Sequence, residues 1–136
     1  MSADLDTPDD IEQEIAQEER RDRRFVSALA RGMAILRCFK RSERWLANSE
    51  IAARTGLPRP TISRLTYTLT RLGYLEHSTR LEKYALGAGV LALGHAYLAG
   101  EDVRGVARPL MQALADEVSA TVLLGALDQT QMVLVE

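Results

Sequence analysis

The chain has 136 residues, 46% of them hydrophobic and 26% charged, with a formal net charge of −2. That balance is ordinary for a globular protein, and the length allows one small domain plus part of a second. No apolar run approaches the roughly 18–20 residues of a membrane span. The acidic start "MSADLDTPDDIEQE" has no secretory character. A single cysteine, Cys38, excludes an internal disulfide and fits a reducing cytoplasm, where it reads as a small apolar helix residue.

The charge is unevenly spread. Residues 1–24 carry nine acids against four arginines, residues 25–83 eleven bases against four acids, and residues 84–136 two bases against six acids. A basic middle between acidic ends is the footprint of a segment that faces a polyanion.

In chain order, residues 1–24 read as a disordered or frayed helical, charged arm with few large apolar groups to bury. From Phe25 the pattern changes: Val26, Leu29, Met33, Leu36 and Phe39 recur at helical spacing, so the first helix is expected to bury that stripe, with Ser27 as its N-cap. "RSERWLA" is a polar connection. A second helix follows in "NSEIAARTG", capped by Asn48 or its neighbour, with Ile51 and Ala52 inward and Gly56 as the stop.

The third helix opens at "PRP". Pro60 suits a first turn, where its missing N–H has no partner to lose. Arg59 precedes a proline, which pushes it toward extended geometry and places it at the cap. Ile62, Leu65, Leu69 and Leu72 form the expected buried stripe. Thr61, Ser63, Arg64, Thr66, Tyr67, Thr68 and Arg71 occupy the rest of the circumference, and Gly73 ends the helix.

"YLEHSTRLEKYAL" predicts two short strands with a tip near Ser78 to Glu82. A further apolar helix runs from about Ala88 to Gly100. An amphipathic helix with Pro109 near its start follows. The C-terminal segment predicts a hairpin, Thr121 to Leu127 and Met132 to Glu136, turning around Asp128 to Gln131.

Helix, helix, short turn, helix and hairpin is the order of a winged helix-turn-helix. A reading helix must bury one face in its own domain and offer polar or basic groups to a major groove about 12 Å wide. Its N-terminus also favours a phosphate. The candidate DNA contacts are therefore Arg59, Thr61, Ser63, Arg64 and Tyr67 on the third helix, with Arg80 and Lys83 at the hairpin tip. His77 and His95 are expected to be structural. There is no paired carboxylate, metal-ligand spacing or Gly-rich phosphate loop, so neither enzyme activity nor a cofactor or metal is expected. The alternative to DNA binding is a winged-helix module that only dimerises or docks a protein. Salt separates the two, because phosphate contacts weaken steeply as it rises.

From Phe25 onward, "LARGMAILRCF", "SEIAARTGLPRPTISRLTYTLTRLGYLE", "KYALGAGVLALGHAYL" and "VARPLMQALADEVSATVLLGALD" resemble the IclR-type bacterial transcriptional regulators. "FVSALARGMAILRCF" with "LGHAYL" is similar to the subgroup controlling protocatechuate and 4-hydroxybenzoate catabolism. The resemblance implies a mainly α fold in four parts. These are the charged arm 1–24, a winged helix-turn-helix over 25–87, a linker helix over 88–102, and the truncated start of an α/β effector domain over 103–136.

It further implies homodimers or dimers of dimers in the cytoplasm, associated with the nucleoid when bound to palindromic promoter DNA. A small aromatic acid is the implied effector of the full-length form. By position, Ser49 and Glu50 open the second helix, Arg80 to Lys83 match the wing, and Leu91, Leu93, Tyr97 and Leu98 supply linker or subunit contacts. The family's usual wing-tip glycine is missing, Pro60 stiffens the helix start, and Ala47 and Asn48 stand where Thr-Leu is frequent. The resemblance implies that most of the effector pocket lies beyond Glu136, and residues past about Ala120 are expected to pack poorly unless a partner chain covers them.

Overall fold

A computed structural model describes residues 8–40, 42–100, 102–128 and 131–136. Within them the chain forms α1 (Pro8–Arg21), α2 (Ser27–Arg37), α3 (Asn48–Thr55), α4 (Arg59–Arg71), β1 (Leu75–Ser78), β2 (Lys83–Leu86), α5 (Ala88–Ala99), α6 (Asp102–Val118), β3 (Gly125–Asp128) and β4 (Gln131–Leu134). The architecture is mainly α: a winged helix-turn-helix, an apolar helix, then a helix and a hairpin. Two compact units divide it, Met1–Val90 and Leu91–Glu136.

The core of the first unit is Ile35, Leu46, Ile51, Leu57, Ile62 and Leu75, with Leu36, Cys38, Phe39, Leu65, Leu69 and Tyr84 packed around them. Burying each large aliphatic side chain contributes about 1.5–3 kcal/mol, so three helices and a strand are held by one small cluster. Leu57 in the α3–α4 turn plugs this core. The turn is possible because Gly56 sits at a φ of +68° and donates its N–H to Ala52 O at 2.9 Å, a left-handed cap that other residues adopt at a cost.

Residues 8–21 are helical, as one form of the expected arm, but packed instead of frayed. They form a helix whose Ile15 is buried, and residues 1–7 lie outside the described part. Glu12 accepts from the Arg31 guanidinium at 2.6 Å, and Glu19 accepts from the Ser27 hydroxyl at 2.8 Å. Two polar pairs tie the segment to α2 and one isoleucine of it is buried, none of which leaves a periodic apolar signature. Ser27 is thus not the cap of α2. Val26 holds that place without a side-chain bond.

Of the expected inner stripe, Leu36 and Phe39 pack against the core, but its N-terminal half does not. Ile35 and Gly32 are buried, whereas Val26, Leu29 and Met33 face outward, Leu29 with 66% exposure. Two apolar stripes fit the same helical period, and the core uses the one through Ile35.

Ile62 and Thr66 of α4 are fully buried, while Leu72, its C-cap, is 63% exposed, so the buried line runs through Thr66 and stops short of Leu72. The Thr66 hydroxyl donates to Ile62 O at 2.9 Å, which satisfies it within the helix and makes its burial tolerable. The helix end is as expected: Gly73 at a φ of +80° donates to Thr70 O, and Tyr74 N–H donates to Leu69 O, the paired bonds of a Schellman motif.

The wing, β1–β2, is antiparallel, with Leu75 opposite Leu86 and Ser78 opposite Lys83. Leu46 bridges Tyr84 through reciprocal backbone bonds of 2.9 and 2.8 Å, fixing the wing to the segment that leads into α3. His77 lies against the Tyr84 ring, centroids 4.7 Å apart.

In the second unit, α6 begins at Asp102, which leaves Pro109 inside the helix instead of near its start. β3 and β4 are shorter than predicted, with Asp128 already paired to Gln131; residues 129–130 of the expected turn lie outside the described part. Past Ala120, Leu123, Leu127, Met132, Val133 and Leu134 are exposed, and no described residue of Leu91–Glu136 is buried.

Candidate nucleic-acid interface

α4 would be a poor helix by propensity, with threonines at 61, 66, 68 and 70. Three of these hydroxyls bond back one turn, Thr66 to Ile62 O, Thr68 to Arg64 O and Thr70 to Thr66 O, at 2.9, 2.9 and 2.7 Å. The outer surface is thereby left to other side chains. Arg64 lies opposite the buried Ile62–Thr66 line, Tyr67 and Ser63 lie to its sides, and all three are exposed, Tyr67 by 65%. Arg59 is exposed at the helix start and Thr61 is half-buried beside it.

The start of α4 differs in register from expectation. Pro58, extended with a ψ of 138°, is the N-cap, and Arg59 is already the first helical residue. The steric rule against helical geometry before proline is a bias, and in a first turn no preceding helical carbonyl is there to clash with the Pro60 ring. Ile62 N–H donates to Pro58 O at 3.0 Å, the first bond of the helix. The N–H groups of Arg59 and Thr61 precede it and have no helical partner, which leaves a positive dipole end next to the Arg59 guanidinium.

Ser49, in the first turn of α3, is exposed, as is Arg80 at the wing tip. Among the described residues, Arg59, Arg64, Arg71 and Arg80 form no ion pair. Arg71 is an addition: it lies one turn beyond Tyr67 on the same face, a spacing visible in the sequence, where it was assigned only to the polar circumference.

Lys83 is a correction. It is the first residue of β2, below the tip, and its ammonium sits 3.0 Å from a Glu50 carboxylate oxygen. The same oxygen accepts the Ala47 N–H at 2.7 Å. This backbone bond first, and Lys83 second, hold the Glu50 carboxyl below its ordinary value of 4.5. The spacing Ala47-x-x-Glu50 is half of a capping box, a signal that could have marked Glu50 in advance. The cap of α3 is thus Ala47, the neighbour of Asn48.

The remaining candidates lie elsewhere. Leu91, Leu93 and Tyr97 of α5 are exposed and Leu98 half-buried, on a helix with no charged residue. His95 is exposed on that helix. Cys38 donates its thiol to Ile35 O at 3.0 Å, and burial raises its pKa to about 11, so it packs as an unreactive thiol. In the second unit an open cleft of about 240 Å³ is lined by Leu98, Arg104, Gly105, Arg108 and Glu136. Glu136 accepts from both arginines, which lowers its pKa. Among the described residues no group of three or more His, Cys, Asp or Glu could hold a metal, and no helix is long and apolar enough to cross a membrane.

Comparison with known proteins gives this geometry a family. The IclR helix-turn-helix domain matches residues 28–78, the span from α2 through β1. The HTH-type transcriptional regulator TsaQ1/TsaQ2 of Comamonas testosteroni is 43% identical over 82% of this chain. The Pca regulon regulatory protein of Pseudomonas putida is 36% identical over 69%. The chain spans 40% and 32% of the length of these two curated relatives. Among solved structures, an IclR family transcriptional regulator from Brucella abortus superposes with a TM-score of 0.81 at 52% identity, over 85% of this chain and 44% of that one. An IclR homolog complexed with 4-hydroxybenzoate from Microbacterium hydrocarbonoxydans gives 0.64 at 27% identity, over 80% of this chain and 45% of that one. By its helix-turn-helix domain, the chain belongs to the IclR family of bacterial transcriptional regulators.

Proposed function

We propose that the chain is the DNA-reading part of a ligand-responsive transcriptional regulator and binds palindromic promoter DNA as a homodimer, or as a dimer of dimers, in the cytoplasm. The observation that carries this reading is the outer face of α4: Arg64 and Arg59 are exposed and unpaired among the described residues, flanked by Ser63, Tyr67 and Thr61, on a helix whose inner face buries Ile62 and Thr66 and half-buries Leu65 and Leu69. Such a helix fits a major groove, with Arg64 placed for base edges and Arg59 at the phosphate-binding N-terminus. Ser49 and Arg80 add backbone contacts, and Arg71 extends the cationic line. The partition into a DNA-binding domain over 25–87, a linker helix over 88–102 and the start of an effector domain over 103–136 belongs to the same proposal, with Leu91, Leu93, Tyr97 and Leu98 as subunit contacts.

The finer reading is control of aromatic-compound catabolism by a small aromatic acid. It is supported by the likeness to the Pca regulon protein and to the 4-hydroxybenzoate complex. No residue described here is assigned to that ligand. The test is selection of bound sequences from random duplexes, followed by affinity against salt. Enrichment of a palindrome with steep salt dependence is expected. The exposed apolar residues of α5 favour a second reading, a dimerisation module without DNA binding. Failure to enrich any sequence, with self-association that holds or tightens in salt, would establish that reading instead.

A further inference from the structure

The wing carries two cations, Arg80 and Lys83, and they stand in different surroundings. Arg80 is exposed at the tip without an ion pair among the described residues. Lys83 opens β2 and lies against Glu50 in the first turn of α3. The pair is half-exposed, and an isolated surface pair is a weak clasp, typically about 0–1 kcal/mol. Energy alone would let Lys83 swing to a phosphate.

Geometry opposes that swing. The Glu50 carboxylate is anchored to the backbone by the Ala47 N–H at 2.7 Å, so it stays when Lys83 leaves. Leu46, one residue before Ala47, is bridged in both directions to Tyr84, one residue after Lys83. The carboxylate and the ammonium are therefore carried on two segments locked in register. Any phosphate that approached Lys83 would meet a fixed negative charge at close range. The local charge available to a polyanion at that point is near zero.

We propose that Glu50 is a positioning residue of the DNA interface: it ties Lys83 to the start of α3, fixing the base of the wing and withholding that lysine from phosphate. Arg80 is then the cation the wing presents. This rests on the DNA-binding reading above and deepens it.

The slope of log affinity against log salt reads the number of phosphates neutralised, at about 0.9 for each on duplex DNA. The probe is a fluorescently labelled random-sequence duplex, and the proteins are the wild-type chain, Lys83→Met, Glu50→Gln and the double variant, each checked by thermal unfolding. Glutamine keeps a carbonyl to accept the Ala47 N–H but releases the ammonium. Lys83→Met is expected to leave the slope unchanged, Glu50→Gln to steepen it by about 0.9, and the double variant to return to the wild-type slope. A purely structural role for Glu50 would not produce that return.

A Lys83→Met slope flatter by about 0.9 overturns the inference, because Lys83 then touches phosphate. So does a steeper slope in Glu50→Gln that persists in the double variant. Should Glu50→Gln fail to fold, Lys83→Met decides alone by the same two slopes. A wild-type chain that binds no duplex overturns the DNA reading and this inference together, whereas a wild type that binds with either contrary slope overturns the inference only.

Discussion

The two units of the chain handle apolar surface in opposite ways. Met1–Val90 closes a core of six fully or nearly fully buried residues around α2, α3, α4 and β1. Leu91–Glu136 is richer in leucine and valine, with fifteen in 46 residues against thirteen in the first 90, yet none of its described residues is buried. α4 and α5 show the contrast between helices of similar length. α4 has one buried line and a polar, basic outer face, whereas α5 is apolar around its whole circumference, with no charge to mark a solvent side. A helix of the first kind is finished by its own domain and has a free face to use. A helix of the second kind needs more apolar neighbours than its own unit supplies.

The sharpest way to break this contrast is to truncate one aliphatic side chain in each unit. Ile62→Ala should cost about 2–5 kcal/mol, because it opens a cavity in a closed core. Leu110→Ala, on the exposed side of α6, should stay within about 0.5 kcal/mol. Denaturant unfolding checks both, and equal losses would mean that the second unit has a core of its own.

A smaller effect is expected where β2 and α5 pass the end of α4. A Cβ at Gly87 would lie 2.5 Å from Gly73 O, and one at Gly89 2.8 Å from the same atom. Backbone must shift to admit it, so Gly87→Ala should destabilise the first unit by about 1–3 kcal/mol. Gly94→Ala on α5, where a Cβ meets nothing within 4 Å, should not destabilise at all. Thermal unfolding distinguishes them.

The wing tip offers a change of opposite sign. Glu82 holds a φ of +50°, a left-handed geometry that costs a non-glycine residue roughly 1–2 kcal/mol. Glu82→Gly should relieve that strain, less the flexibility it adds to the unfolded chain, for a net gain of about 1 kcal/mol or less. A lowered melting temperature would mean that the Glu82 side chain makes up for its backbone.

The smallest effect is the pH response of Glu50. Its folded pKa lies below the ordinary 4.5, so its ionised form stabilises the fold at pH above that value. This contribution is lost as pH falls through the lowered folded value. The melting-temperature difference between wild type and Glu50→Gln should therefore be constant near neutrality and shrink only in acid. A difference that grows in acid would reverse the sign of the shift.

Much of the reading unit was legible in the sequence, and the reasons are local. Gly56 and Gly73 marked helix ends because left-handed caps demand a particular residue. The wing appeared as two short strands because its turn residues interrupt an apolar run. Partner-dependent features were not legible. α2 carries two apolar stripes of equal period, and only the position of α3 and α4 selects Ile35 over Leu29. Thr66 enters the core because its hydroxyl has a carbonyl to bond, which binary patterning cannot register. α1 hangs on pairs such as Glu12–Arg31, nineteen residues apart. Lys83 looked like a tip cation because sequence distance from Glu50 conceals spatial contact.

The free outer face of α4 is the feature on which the proposed function turns, and Arg64 is its most direct probe. Affinity of wild type and Arg64→Ala should be measured for a selected duplex and for every single base-pair change in it. The expected result is a loss of about 1–3 kcal/mol on the selected site, with preference flattened at one base pair in each half-site and kept elsewhere. An equal loss on every duplex, or no loss on any, would contradict the placement of α4 in the major groove with Arg64 on a base.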